Sequence, residues 1–173
     1  MPVSKADIAH AIFSAGVVGF AFDEPRTFKS GILSPVYLDN RKLLMNPGSW
    51  HVVIGALREL VNGFRIAEPV IAGIETAGIP HSAALAYEMG LPTVFVRKQA
   101  KEHGLQRRIE GGDVAGRETI LIEDQITTGG SSLSAVFPLR EAGATIFHCL
   151  AITSYGFVEA ERAFAAADVA LHV

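Results

Sequence analysis

The sequence predicts one α/β domain built on a mostly parallel sheet with helices on both faces. Three observations predict it. Short, unbroken apolar and β-branched runs recur along the chain, and stretches with helical apolar spacing lie between them. In addition, 49% hydrophobic and 19% charged residues over 173 positions supply one sizeable core. Strands buried on both faces read as continuous apolar runs, and their alternation with helices calls for the crossovers of a parallel sheet.

The elements follow in order. An N-terminal helix leads to Gly16. Thr27–Lys29 and Pro35–Asp39 are strand-like pieces around the turn-forming Ser30–Gly31, and with the helix they make a small hood of residues 1–45 beside a core of residues 46–173. Pro47 stands near the start of a helix that includes Trp50–Val61, with Asn46 as its cap. Then come strand Val70–Ile74, helix Ile79–Met89, strand Thr93–Val96, strand Thr119–Glu123, helix Ser131–Ala142, strand Thr145–Thr153, helix Val158–Ala166 and strand Val169–Val173. Gly16, Gly63, Gly90 and Gly143 each follow an apolar-periodic stretch, as residues that end helices in a left-handed conformation do.

Bulk properties exclude several function classes. A net charge of −3 argues against a general nucleic-acid binder, so any anion site must come from a local cluster of basic residues. Met1–His10 mixes Lys5 and Asp7 with apolar residues, unlike a signal peptide, and no apolar run reaches the roughly 18 residues of a membrane span. Cys149 is the single cysteine, which excludes an intrachain disulfide and fits a reducing, cytoplasmic setting. It lies in the apolar run Ile146–Ile152 and reads as a core residue.

The chemistry concentrates in Ile120–Ser132, ILIEDQITTGGSS. An apolar strand reaches the adjacent carboxylates Glu123 and Asp124, then passes through Thr127, Thr128, Gly129, Gly130 and Ser131 into a helix. A small-residue loop at the carboxyl end of a strand turns several backbone N–H groups onto one phosphate, and the helix N-terminus adds donors and partial positive charge. Two carboxylates beside a phosphate need another purpose. The vicinal hydroxyls of a ribose are donors that carboxylates accept, and magnesium prefers oxygen ligands and water. Neither GxxxxGK[ST] nor GxGxxG occurs. The pattern resembles the PRPP-binding motif of the type I phosphoribosyltransferases, in which PRPP is the diphosphorylated ribose donor. Gln125 departs from the small apolar residue usual there, and the sequence leaves open whether it points into the sheet or towards the ligand.

The resemblance narrows in Arg97–Gly112, RKQAKEHGLQRRIEGG, which holds five of the 15 Lys and Arg residues. Its basic residues, spacing and IEG ending are similar to the catalytic loop of orotate phosphoribosyltransferases. The resemblance implies that Lys98, Lys101 and His103 meet the diphosphate, with Lys101 and His103 nearest the chemistry, and that Arg97 also reaches PRPP. It further implies a homodimer in which this loop closes over the partner's site. Arg107–Arg108 replace smaller residues, which predicts a stiffer or more basic loop.

Phe28–Leu44, FKSGILSPVYLDNRKLL, resembles another segment of the same family. By that resemblance Lys29 contacts PRPP or the base. Tyr37 has two readings, one in the base pocket and one in simple packing, and Thr127 also touches the base. In Gly73–Pro80, GIETAGIP, the turn through Thr76, Ala77 and Gly78 corresponds to the loop that holds diphosphate by backbone N–H groups, with Ala77 where some members carry lysine. After Thr145–Thr153 the chain has Ser154–Tyr155–Gly156 in place of the arginine that many members pair with the orotate carboxylate.

The resemblance therefore implies a type I phosphoribosyltransferase fold and the transfer of phosphoribose from PRPP to orotate. The cofactor would be Mg2+, held by Glu123 and Asp124 indirectly, through PRPP and water. The catalytic set would be Lys98, Lys101, His103 and Asp124. No nucleic acid or membrane takes part. Two rivals remain: a phosphoribosyltransferase for another base, and a non-catalytic regulator that senses PRPP or a nucleotide.

Overall fold

Ser4 opens the first helix in the computed structural model, which describes residues 3–28, 31–99 and 108–173. The chain divides into two compact units, Met1–Ala56 and Leu57–Val173, the division falling inside one long helix.

In the first unit, α1 (Lys5–Ser14) begins with a capping box: Ser4 Oγ accepts the Asp7 N–H, and the Asp7 carboxylate accepts the Ser4 N–H, both at 3.1 Å. Gly16 follows the helix with φ 68°. Four short strands come next, β1 (Val18–Phe20), β2 (Arg26–Thr27), β3 (Leu33–Ser34) and β4 (Val36–Leu38). β2 and β3 form an antiparallel hairpin, with Gly31 at φ 85° in its turn. The expected hairpin is thereby corrected, because Pro35–Asp39 supplies β4, which pairs with β1. In that pairing Tyr37 faces Gly19, whose missing side chain leaves room for the ring, and the Arg26 guanidinium lies 4.3 Å over the ring centroid. A 3-10 turn (Asn40–Met45) leads into α2 (Pro47–Phe64). The Asn46 carbonyl accepts the Trp50 N–H at 2.9 Å. Gly63 does not end α2: the helix runs on to Phe64, and Arg65 takes the left-handed conformation with φ 57°.

The second unit holds β5 (Val70–Ile74), α3 (Gly78–Met89), β6 (Thr93–Val96), β7 (Ile109–Glu110) and β8 (Glu118–Ile126). It continues with α4 (Gly130–Glu141), β9 (Thr145–Ser154), α5 (Val158–Ala166) and β10 (Ala170–His172). The six strands make one sheet in the order β10-β9-β8-β5-β6-β7. Every pairing is parallel except that of β7 with β6. Val70, Ala72, Ile74, Leu121 and Cys149 pack on one face with Val136 and Leu139 of α4 and Phe164 of α5. α3 packs on β5, where Gly73 lets Ser82 and Ile79 approach the strand more closely than any side chain would allow. Cys149 sits between Leu121 and Leu171 in the sheet register and is fully buried. Its thiol is pushed well above its ordinary range by burial.

Candidate active site

The strand order creates a crevice. From β5 the chain crosses through α3 to β6 on one side, and from β8 it crosses through α4 to β9 on the other. β5 and β8 are neighbours, so the crossovers diverge between them, at the topological switch point where open α/β sheets bind ligands beyond their strand ends. Two turns lie there, Glu75–Ala77 after β5 and Thr127–Gly129 after β8. They come close: a Cβ on Gly78 would run into the Ile122 carbonyl oxygen and stand 3.4 Å from the Glu123 Cα. The Glu75–Thr76 peptide is cis.

Both turns feed helices whose N-termini lack a side-chain cap. The cap position of α3 is Ala77 and that of α4 is Gly129, and neither makes a side-chain cap hydrogen bond. The first N–H groups of each helix therefore have no intrahelical partner and no capping side chain. Gly129 has φ 83°, and a Cβ there would stand 2.9 Å from the Phe164 ring. Packing from α5 thus shapes the loop from behind.

The acidic pair divides its work. Ladder pairing of β8 with β5 reaches Gly73↔Ile122, while pairing with β9 continues to Ile126↔Ser154, so strand geometry carries Glu123 and Asp124 beyond the β5 ladder. The strand expected over Thr119–Glu123 runs three residues further, to Ile126, because β9 keeps supplying partners. Glu123 is only 6% exposed; its Oε1 accepts the Asp124 N–H at 3.1 Å and its Oε2 accepts the Ser132 hydroxyl at 3.2 Å. Burial, and then the neighbouring Asp124 charge, push its carboxyl up to about 8. Asp124 and Gln125 are half-buried, and Gln125 stands opposite Thr153 in the ladder.

The basic segment is rooted in the sheet. β7 returns antiparallel to β6, with Val96 opposite Ile109. The Arg97 N–H donates to the Arg108 carbonyl at 2.7 Å, and Arg108 Nε donates to the Arg97 carbonyl at 2.8 Å. Arg97 also lies 3.8 Å from the Glu110 carboxylate. Lys98 is exposed, and its backbone N–H donates to the Glu75 carboxylate at 2.7 Å. Lys29, Lys101 and His103 lie outside the described residues.

After β9, the Tyr155 N–H donates to the Ile126 carbonyl at 3.1 Å, the Gly156 N–H donates to Ser154 Oγ at 3.0 Å, and Tyr155 stacks on Phe157. The switch point therefore gathers Thr76, Ala77, Gly78, Glu123, Asp124 and Thr127–Ser131 at neighbouring strand ends, with Arg97 and Lys98 at the end of β6, one strand further on. Tyr37 belongs to the first unit, where it packs between Gly19 and Arg26. Sequence reasoning gave no role to Ser132 or Glu75; a hydroxyl in the first turn of a helix and a carboxylate in a phosphate-type turn were the available signals. Among the described residues, no group of three or more His, Cys, Asp or Glu is arranged to hold a metal ion.

Comparison with known proteins agrees with this arrangement. The family model of the phosphoribosyl transferase domain matches residues 39–159. The orotate phosphoribosyltransferase of Coxiella burnetii is 39% identical over 166 residues, which cover 96% of this chain and 79% of that protein. The orotate phosphoribosyltransferase of Bacillus caldolyticus is 42% identical over 165 residues, covering 95% and 80%. Among solved structures, the orotate phosphoribosyltransferase from Aeropyrum pernix matches with a TM-score of 0.81 at 28% identity, covering 95% of this chain and 90% of that one. With a type I phosphoribosyltransferase sheet, two uncapped helix N-termini at its switch point and these relatives along nearly its whole length, this chain belongs to the orotate phosphoribosyltransferase family.

Proposed function

We propose that this protein transfers the 5-phosphoribosyl group of PRPP to N1 of orotate, with inversion at C1, giving orotidine 5′-monophosphate and diphosphate in pyrimidine biosynthesis. The observation that supports it most is the pair of uncapped helix N-termini on either side of one crevice. PRPP carries a phosphate at one end and a diphosphate at the other. In this reading the Thr127–Ser131 turn and α4 take the 5′-phosphate, and the Thr76–Gly78 turn and α3 take the diphosphate.

As the C1–oxygen bond breaks, positive charge grows on the ribose ring and negative charge on the departing diphosphate. Lys98, Lys101 and His103 meet the latter, with Arg97 nearby, in a segment that excludes water when it closes. Asp124 accepts from the ribose hydroxyls. Glu123, carrying its proton near neutral pH, lowers the negative charge that an arriving phosphate meets and supports the loop through Ser132.

The donors present fit magnesium arriving with its substrate. Two adjacent carboxylates, with no group of three or more His, Cys, Asp or Glu gathered among the described residues, suit an ion that keeps several waters and binds mainly to phosphates. When bound, it would neutralise diphosphate charge, with Glu123 and Asp124 acting through PRPP and water. The basic segment acts across a homodimer in this reading, and the protein works in the cytoplasm. No helix among the described residues is long and apolar enough to cross a membrane.

Mixing the protein with PRPP, magnesium and orotate, and following orotate's ultraviolet absorbance, tests the proposal. Absorbance loss that requires both PRPP and magnesium supports it. PRPP binding without loss would sink orotate as the acceptor. Ser154–Tyr155–Gly156, standing where the family resemblance leads one to expect an arginine, favours one second reading, transfer to a different base. A panel of bases separates the two, and turnover of any of them excludes a purely regulatory role.

A further inference from the structure

Glu75 is an unexpected residue in its turn. A carboxylate next to residues that receive a diphosphate adds repulsion unless it serves another purpose. Its geometry supplies one. The Glu75 N–H donates to the Val96 carbonyl at 3.0 Å, and its carboxylate accepts the Lys98 N–H at 2.7 Å. A charged acceptor makes this the stronger kind of hydrogen bond. Backbone and side chain of one residue thus grip the chain on both sides of Arg97, just past the last β5–β6 pair, Ile74↔Val96.

Two further hydrogen bonds concentrate on the same root. The Arg97 N–H and carbonyl are both taken by Arg108, through its carbonyl and its Nε. The Lys98 backbone is therefore fixed from one side by Glu75 and held through its neighbour from the other. The Lys98 side chain is meanwhile exposed. A long cation on a fixed Cα loses less freedom on meeting an anion than one on a loose loop, so anchoring the backbone raises affinity without adding a contact.

We propose that Glu75 is a positioning residue: it fixes the Lys98 backbone beside the Thr76–Gly78 turn, so that the ammonium group and the turn's N–H groups take one diphosphate together. The inference rests on the phosphoribosyl transfer proposed above. Its carboxylate charge is spent on the Lys98 N–H rather than presented to substrate.

The test is a double-mutant cycle on PRPP affinity, measured by calorimetry in magnesium buffer with wild type, Glu75→Ala, Lys98→Ala and the double variant. Glu75→Ala should weaken PRPP about tenfold in the wild-type background and less than twofold in the Lys98→Ala background. Glu75→Gln, which keeps an oxygen acceptor, should recover most of the loss. Amide exchange provides the second measurement: the Lys98 N–H should be protected in wild type and Glu75→Gln and unprotected in Glu75→Ala. Equal losses in both backgrounds, or an unprotected Lys98 amide in wild type, would overturn the inference. PRPP that binds while orotate is not consumed would sink only the choice of acceptor, since the cycle reads binding. A wild-type protein that does not bind PRPP at all would sink both.

Discussion

Two kinds of helix beginning coexist in this chain. α1 starts with its N-terminus closed, Ser4 and Asp7 each satisfying a backbone donor of the other. α3 and α4 start at Ala77 and Gly129, with no side chain in the capping role. A capping side chain contributes about 1 kcal/mol, so its omission at the two helices flanking the crevice costs stability that the same chain secures at α1. α5 also begins without a side-chain cap, at Phe157, so what sets α3 and α4 apart is that both open ends lie at the crevice. A closed end serves the fold, whereas two open ends at one switch point leave backbone donors of the kind that an anion can meet.

The largest expected effect concerns the charge that works with the open ends. Lys101→Ala should lower turnover about a hundredfold or more, since a lost transition-state charge contact often costs about 2.7–4 kcal/mol. Near-normal turnover would remove Lys101 from the mechanism. Next, Ala77→Asp should place a carboxylate at the open N-terminus of α3, from helical rather than extended backbone angles. We expect an unchanged or higher melting temperature and PRPP binding weakened roughly thirtyfold, because a fixed carboxylate competes for the same N–H groups at about 2 kcal/mol or more. Unaltered affinity would break the comparison.

Gly129→Ala tests the support behind the second open end. Its φ of 83° and the 2.9 Å approach to Phe164 should together cost about 2 kcal/mol in denaturant unfolding. A neutral result would mean that the loop shape does not depend on α5.

Glu123 adds a pH dependence opposite in sense to that of α1, where hydrogen bonds from Ser4 hold the Asp7 carboxyl below its ordinary range. Burial and the Asp124 charge push the Glu123 carboxyl from the ordinary 4.5 up to about 8, so the folded state holds more protons between those values. The stability it contributes is complete below about 4.5 and declines as pH rises through about 8. Glu123→Gln should flatten that decline in urea titrations at a series of pH values, and an unchanged slope would assign it elsewhere. The smallest effect is Ser4→Ala, with about 1 kcal/mol less stability and unaltered PRPP binding; a change in binding would show that the closed end is not purely structural.

Much of this was legible in the sequence because local pattern carried it. Val70–Ile74, Thr93–Val96 and Val158–Ala166 have the bounds their apolar spacing predicts. ILIEDQITTGGSS and GIETAGIP announced the two turns. What the pattern could not carry was long-range. β4 pairs with β1 rather than within the nearer hairpin, and β8 extends past Glu123 because β9 runs alongside. The order that brings β5 beside β8, and with it the crevice, is a property of pairing. Gly63 misled because a glycine tolerated inside a helix looks like one that ends it. His148 and His172 share no sequence spacing, yet parallel pairing brings their ring nitrogens to 3.1 Å. The Ser132–Glu123 bond required the turn that brings α4 back over its own strand.

Cys149 gives the sheet a built-in clock. It is the chain's one thiol, wholly covered, in the strand between β8 and β10. Reagents that modify thiols act on the ionised sulfur, which this burial suppresses in the closed protein. Modification must therefore wait for the strands to part, and under fast reclosing its rate measures the free energy of that opening. Each substitution at the crevice is then readable as a change in how often the centre of the sheet comes apart.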